Sequence, residues 1–267
     1  MVGGESSPLM RHKDFAAPSV FRPENLLREA RRQRNLPNEG VPAICVLDPD
    51  GDLVRYLLRS GEGRKFGGWA CYHTEMVGFE AGDFRFGVVG CAVGASFAVL
   101  VAEQLFASGC ELLISITSSG QIADGGPTPY FIAIDRALRD EGTSHHYLPP
   151  ADFAEGNTEL VRLAMAGLAG GALRVIQGAT WTTDAPYRET AAAIAAAEAA
   201  GVLAVEMEAA ALYAFATARM RPVLCFAHVT NQMAQNEGDF EKGAADGAHD
   251  AIALLVATAN ACGAAID

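Results

Sequence analysis

Two carboxylates in an otherwise apolar stretch are the first residues of this chain whose types could do chemistry. In "LAVEMEAAALYAFA", residues 203 to 216, Glu206 and Glu208 flank Met207. A buried carboxylate is costly unless it is paired, so at least one of the two is expected to face packed protein or a ligand. A fixed carboxylate can stabilise positive charge that develops on a reacting group. The structural alternative is that one glutamate favours the positive end of a helix while the other is half-exposed at its flank. Three histidines are further candidates: His73 in "WACYHTEM", and His145 with His146 in "TSHHY". No metal-ligand spacing connects them, so no metal is expected.

The elements that must position these residues are legible as alternating strands and helices. Helix formers dominate 203 to 216 and predict a helix from near Ala204, on which Glu206 and Glu208 point in well-separated directions. Apolar runs at 41 to 48, 83 to 90, 111 to 117 and 222 to 231 read as strands, as do "TPYFIAIDRAL" and "LRVIQGATW". "SFAVLVAEQLFASG" reads as a helix stopped by Gly109, and "AAAIAAAEAAG" and "HDAIALLVATANACGAAI" as two more. This alternation predicts an α/β fold, a single domain whose sheet is covered on both faces. The first 40 residues form a polar arm carrying the basic helix "ENLLREARRQR", which is either a solvated surface helix or a subunit-packing element.

In such folds ligands gather at strand ends. Four of these ends are polar: "GCAVGAS" (90 to 96), "TSSGQI" (117 to 122), "TWTTDAPYRET" (180 to 190) and "HVTNQ" (228 to 232). The first is a glycine turn opening a helix, where N–H groups can meet an anion. A dinucleotide-binding reading of that turn fails on spacing. Only Gly90 and Gly94 are present, and the acidic residue Glu111 falls at the start of the next strand.

Composition excludes other classes. With 267 residues, half of them hydrophobic, the chain can bury a large core. A net charge of −12 repels phosphate backbones and anionic lipid, so neither a nucleic acid polymer nor a membrane is expected as partner. The six cysteines are scattered without a CxxC pair, and the N-terminus lacks an apolar secretion core, so a cytoplasmic location is expected.

In this order, "VGCAVGAS", "ITSSGQI", "RALRDEGTSHHYLPP", "TTDAPYRET" and above all "VEMEAAALYAFA" resemble the nucleoside phosphorylase family, which includes uridine and purine nucleoside phosphorylases and nucleosidases. The resemblance runs from about residue 41 to the end. It implies a three-layer α/β/α domain over 41 to 267 with a mixed central sheet, and a homo-oligomer built from dimers. The implied activity is cleavage of a nucleoside N-glycosidic bond, with inorganic phosphate as co-substrate and no bound cofactor. By the same resemblance Met207 packs beneath the ribose, Glu208 accepts from its 2′ and 3′ hydroxyls, and Glu206 helps to close the catalytic site. His73 is a possible contact to the 5′ end. Trp181, Thr182, Arg188 and Asn231 are placed to meet the base. Gly94, Ser96, Thr117, Ser118 and Ser119 make up a phosphate or water pocket.

Departures from the family pattern qualify these implications. Ser115 stands where relatives carry an arginine, and Asp52 stands roughly in the place of a second. Losing one guanidinium is expected to weaken phosphate binding by about 10- to 100-fold, and losing two to abolish it. Arg188, Arg85 or a neighbouring subunit could restore that charge. Otherwise water replaces phosphate and the protein is a nucleosidase, with Glu206 as the nearest candidate base. Asn231, in place of an aspartate, is no general acid, which tilts the expected substrate towards a uridine-like base. Phosphorolysis is therefore the first expectation and hydrolysis the second. A ribose-binding protein that has lost catalysis is an alternative from a different class.

Overall fold

Residues of alternating direction along buried strands commit this chain to two helical layers. The computed structural model describes residues 7–233, 237 and 239–263. In β1 (Ile44–Asp48), Cys45 and Leu47 face the core layer that also holds α3 (Ala95–Phe106) and α6 (Ala209–Arg219). Ile44 and Val46 face the other core layer, which holds α2 (Asp52–Ser60), α4 (Thr158–Leu168) and α7 (Ala248–Cys262). A strand buried on both faces needs this continuous apolar character.

One ten-stranded mixed sheet lies between the layers. β4 (Phe84–Gly90), β1, β5 (Leu112–Gln121) and β10 (Val223–Asn231) run parallel. β6 (Tyr130–Asp140), β8 (Val175–Thr183) and β9 (Val202–Glu206) run the opposite way. Because β10 pairs with both β5 and β6, and β9 pairs with both β8 and β5, these five strands close on themselves. The short β2 (Gly63–Lys65) and β3 (Val77–Ala81) extend the free edge, and β7 (Phe153–Glu155) pairs with β6. α5 (Ala191–Ala199) bridges β8 and β9. The expected mixed α/β domain is the observed one.

Two local expectations are corrected. The helix predicted from Ala204 begins only at Ala209: residues 202–206 are strand β9, and Glu208 is the N-cap of α6. The strand expected at 111 to 117 runs further, because β5 continues to Gln121, where Gly120 and Gln121 pair with β9, so Thr117, Ser118 and Ser119 lie within it. Asp52 opens α2. The basic segment forms α1 (Pro23–Arg34), which buries Leu27 and Ala30 against Ala70, with Leu36 and Ala107 at its edge. Of the predicted C-terminal helix, residues 264–266 lie outside the described part. Among the described residues no helix is long and apolar enough to cross a membrane.

Candidate active site

Strand register brings the two glutamates to different tasks. In the parallel β8–β9 ladder Thr182 stands opposite Glu206. Both Thr180 and Thr182 hydroxyls donate to Glu206 Oε1, at 3.1 and 2.5 Å. Its Oε2 accepts from the backbone N–H groups of Glu208 and Ala209, each at 2.7 Å, so the carboxylate caps the N-terminus of α6. Burial pushes the Glu206 pKa up, and these donors oppose that rise.

Glu208 faces the other way. The antiparallel β5–β9 register pairs Gly120 with Val205, and its continuation past β9 sets Glu208 opposite Thr117. Thr117 Oγ1 donates to Glu208 Oε2 at 2.9 Å and Gly94 N–H donates to Oε1 at 2.6 Å; Met207 N–H reaches Oε2 at 3.3 Å. Gly94 has φ +88°, a conformation that suits glycine at the tight entry to α3. Burial, then the neighbouring Glu206 charge, pushes the Glu208 pKa up to about 8. A carboxyl so poised changes charge near neutrality, in contact with two backbone turns and a hydroxyl.

A second carboxylate meets the next residue of β5. The β1–β5 register pairs Leu47 with Ser115, and the same offset carries Asp50 to Ser118. Ser118 donates to Asp50 Oδ2 from its N–H at 2.9 Å and from its hydroxyl as well. Lys242 lies 3.8 Å from that oxygen and also pairs with Asp52. The loop is held by Asp48, which accepts from Gly51 and Val54 N–H at 3.1 and 2.9 Å; burial raises the Asp48 pKa to about 6. Arg55 is paired to Asp52 and to the Asp50 carbonyl at 2.9 Å. These carboxylates line one cavity with Thr117, Ser118 and His228. His228 stacks on Phe131 at 4.5 Å, its Nε2 is buried without a partner among the described residues, and burial lowers its pKa to about 4.

The remaining candidate residues are distributed as follows. Met207 is half-buried between the glutamates. His73 is exposed, 6.5 Å edge-on from Phe97 in the first turn of α3, and Ser96 is exposed on that same turn. Trp181 is buried with its N–H on Asp140 at 3.0 Å. Thr182 is fully buried and also accepts from Ala210 N–H at 2.9 Å. Asn231 is buried at the end of β10 and donates to Thr230 at 3.1 Å. Arg188 is exposed on a short 3-10 turn, and Asp184 accepts from Gly142 N–H at 2.8 Å. Ser119 and Ser115 keep buried hydroxyls without partners among the described residues; Ser115 is paired between Leu47 and Cys225. The structure thus brings Gly94, Thr117, Met207 and Glu208 together, with Ser118 beside them. Trp181 and Thr182 are committed to packing and capping. Reading the sequence missed Asp48, Asp50, Arg55, His228 and Lys242. The acidic run "DPDGD" at a strand end was the available signal for the first two.

Comparison with known proteins agrees with this fold. The sequence profile of the Phosphorylase superfamily matches residues 43–260. A uridine phosphorylase of Vibrio fischeri superposes with a TM-score of 0.67 at 19% identity, over 86% of this chain and 94% of that one. A purine nucleoside phosphorylase of Toxoplasma gondii gives 0.69 at 12%, over 84% and 91%. A Campylobacter jejuni 5′-methylthioadenosine/S-adenosyl homocysteine nucleosidase gives 0.67 at 14%, over 81% and 98%. No curated protein sequence matches significantly. At these identities the superpositions speak for the fold, and the profile match for the family: the chain belongs to the phosphorylase superfamily.

Proposed function

We propose that this protein cleaves the N-glycosidic bond of a ribonucleoside at Glu208, with water as the nucleophile. The observation that carries the choice of water is that the donors of Gly94, Thr117 and Ser118 are already answered by the chain's own carboxylates, Glu208 and Asp50. Among the described residues no guanidinium donates to the Thr117–Ser119 segment, and Arg188 stands exposed on another loop. Both phosphorylases and a nucleosidase occur among proteins of similar fold, so the fold is compatible with either nucleophile.

In this reading Glu208 binds the sugar. An ionised carboxylate has about four acceptor sites, and three are used here. The 2′ and 3′ hydroxyls take the remaining site and displace the longest contact, that from Met207 N–H. As the C1′–N bond lengthens, positive charge grows on the ribose and the fixed carboxylate stabilises it more than it stabilises the substrate. The water oxygen bonds to C1′ as the C1′–N bond breaks with its electron pair on the base, and the proton lost by the attacking water passes to solvent. Asn231 can hydrogen-bond a base but not protonate it, which favours a base that departs as a stabilised anion, as a uridine-like one does. In this reading His73 and Phe97, at the rim of the Gly94 turn, meet the 5′ end. Assembly as dimers is part of the same reading.

The test is Glu208→Ala. Its kcat/KM for a ribonucleoside falls by about 100-fold or more, on the scale of removing one transition-state contact. The preference of the wild type for ribonucleosides over 2′-deoxyribonucleosides collapses in the variant. An unchanged preference would overturn the ribose assignment.

A further inference from the structure

The carboxylate of Asp50 is not explained by the capping of a helix or of its own loop. Asp48 ties down the loop through Gly51 and Val54, and Asp52 pairs with Arg55 and Lys242. Asp50 instead reaches across to β5. There one oxygen collects the N–H and the hydroxyl of Ser118, with the Lys242 ammonium 3.8 Å away. An oriented N–H, a hydroxyl and an ammonium converging on one point are what binds a small oxyanion. The side chain of Asp50 is one-third exposed, so the position it fills is open to solvent on one side.

We propose that Asp50 is a built-in anion: its carboxylate occupies the oxyanion position at Ser118, excludes inorganic phosphate, and so determines that water attacks. The part of this inference concerning attack rests on the reading of the site as nucleoside-cleaving; the occupancy of the anion position does not. The exclusion has two sources. A phosphate approaching Ser118 meets donors that are already used, and it meets a like charge at contact distance. Removing the carboxylate leaves the N–H, the hydroxyl and Lys242 in place, because β5 and the Lys242–Asp52 pair are held by other contacts.

The experiment is titration of the folded full-length protein with inorganic phosphate, read by calorimetry and by thermal shift, for wild type, Asp50→Gly and Asp50→Asn. The glycine variant empties the position. The asparagine variant keeps the side-chain volume and removes the charge, which guards against loss of fold in the first. Phosphate is expected to bind Asp50→Gly at least about tenfold more tightly than wild type, the loss expected for one charge-assisted contact. Asp50→Asn should fall between them, and adding Lys242→Ala to Asp50→Gly should weaken the gain. Phosphate binding of equal strength in wild type and both variants, or in none of them, would overturn the proposal. A second arm adds a ribonucleoside. Ribose 1-phosphate formed by Asp50→Gly, against free ribose from wild type, supports control of the nucleophile; free ribose alone from a phosphate-binding variant would overturn that part. If neither protein releases base while Asp50→Gly still binds phosphate, the nucleosidase reading falls and the assignment of Asp50 as the occupant stands.

Discussion

Glu208 and Glu206 are two residues apart and chemically unlike, and the difference lies in their donors. Glu206 has four strong hydrogen bonds, two from hydroxyls and two from the start of α6, so it is spent on holding the helix to the sheet. Its role as a candidate base has no acceptor site left to support it. Glu208 is held from the Gly94 turn and from Thr117, and burial with the Glu206 charge places its titration near pH 8. Because ribose recognition and charge stabilisation use the ionised form, kcat/KM for a ribonucleoside should rise with pH through about 8 and level off above it. Glu208→Gln should show a low and flat profile. A wild-type profile without that rise would disconnect Glu208 from the reaction. The carboxylate motif itself was legible in the sequence, because buried acids in an apolar run demand partners. Which acid faced which partner was not, since that is decided by ladder register with strands about 25 and 90 residues away.

At the scale of elements, the misreading of 203–208 as helix has a local cause. Strand β9 spans only Val202–Glu206, and the strong helix formers of α6 follow almost at once, so the helical pattern extends backwards over it. What makes these residues a strand is tertiary: β8 on one side and β5 on the other complete its hydrogen bonds. The strand-to-helix corner is then fixed by Thr182, whose hydroxyl donates to Glu206 and accepts from Ala210 N–H. Thr182→Val should therefore cost about 2 kcal/mol in urea denaturation, because two buried groups lose a partner while side-chain shape is kept. A cost near zero would mean that the corner is set by packing alone. The parallel strands β1, β4, β5 and β10 were legible because they are largely buried on both faces. The edge strands β2, β3 and β7 are too short to carry a pattern of their own and were not.

For the whole molecule, the titrating groups of the two carboxylate centres link stability to pH with opposite signs. Glu208 has a folded pKa near 8 against an ordinary 4.5, so its stabilising proton is fully held below about pH 4.5 and is lost as pH rises through 8. Asp48, near 6, behaves alike over a lower window. His228, near 4 against 6.5, is buried neutral, so its contribution is present above about pH 6.5 and is lost as pH falls towards 4. Between pH 6.5 and 8 Glu208 dominates these three. Over that interval the Tm of the wild type should fall with rising pH, and Glu208→Gln should flatten the slope; a wild-type slope retained by the variant would assign the effect elsewhere. Stability and activity thus move in opposite directions over the interval in which the site ionises. The central claim is that this superfamily member breaks a nucleoside bond with water. It is tested most directly by product analysis of the purified protein with purine and pyrimidine ribonucleosides, each with and without inorganic phosphate. The account predicts free base and free ribose at a rate that phosphate does not change. Base released only when phosphate is present, together with ribose 1-phosphate, would contradict it.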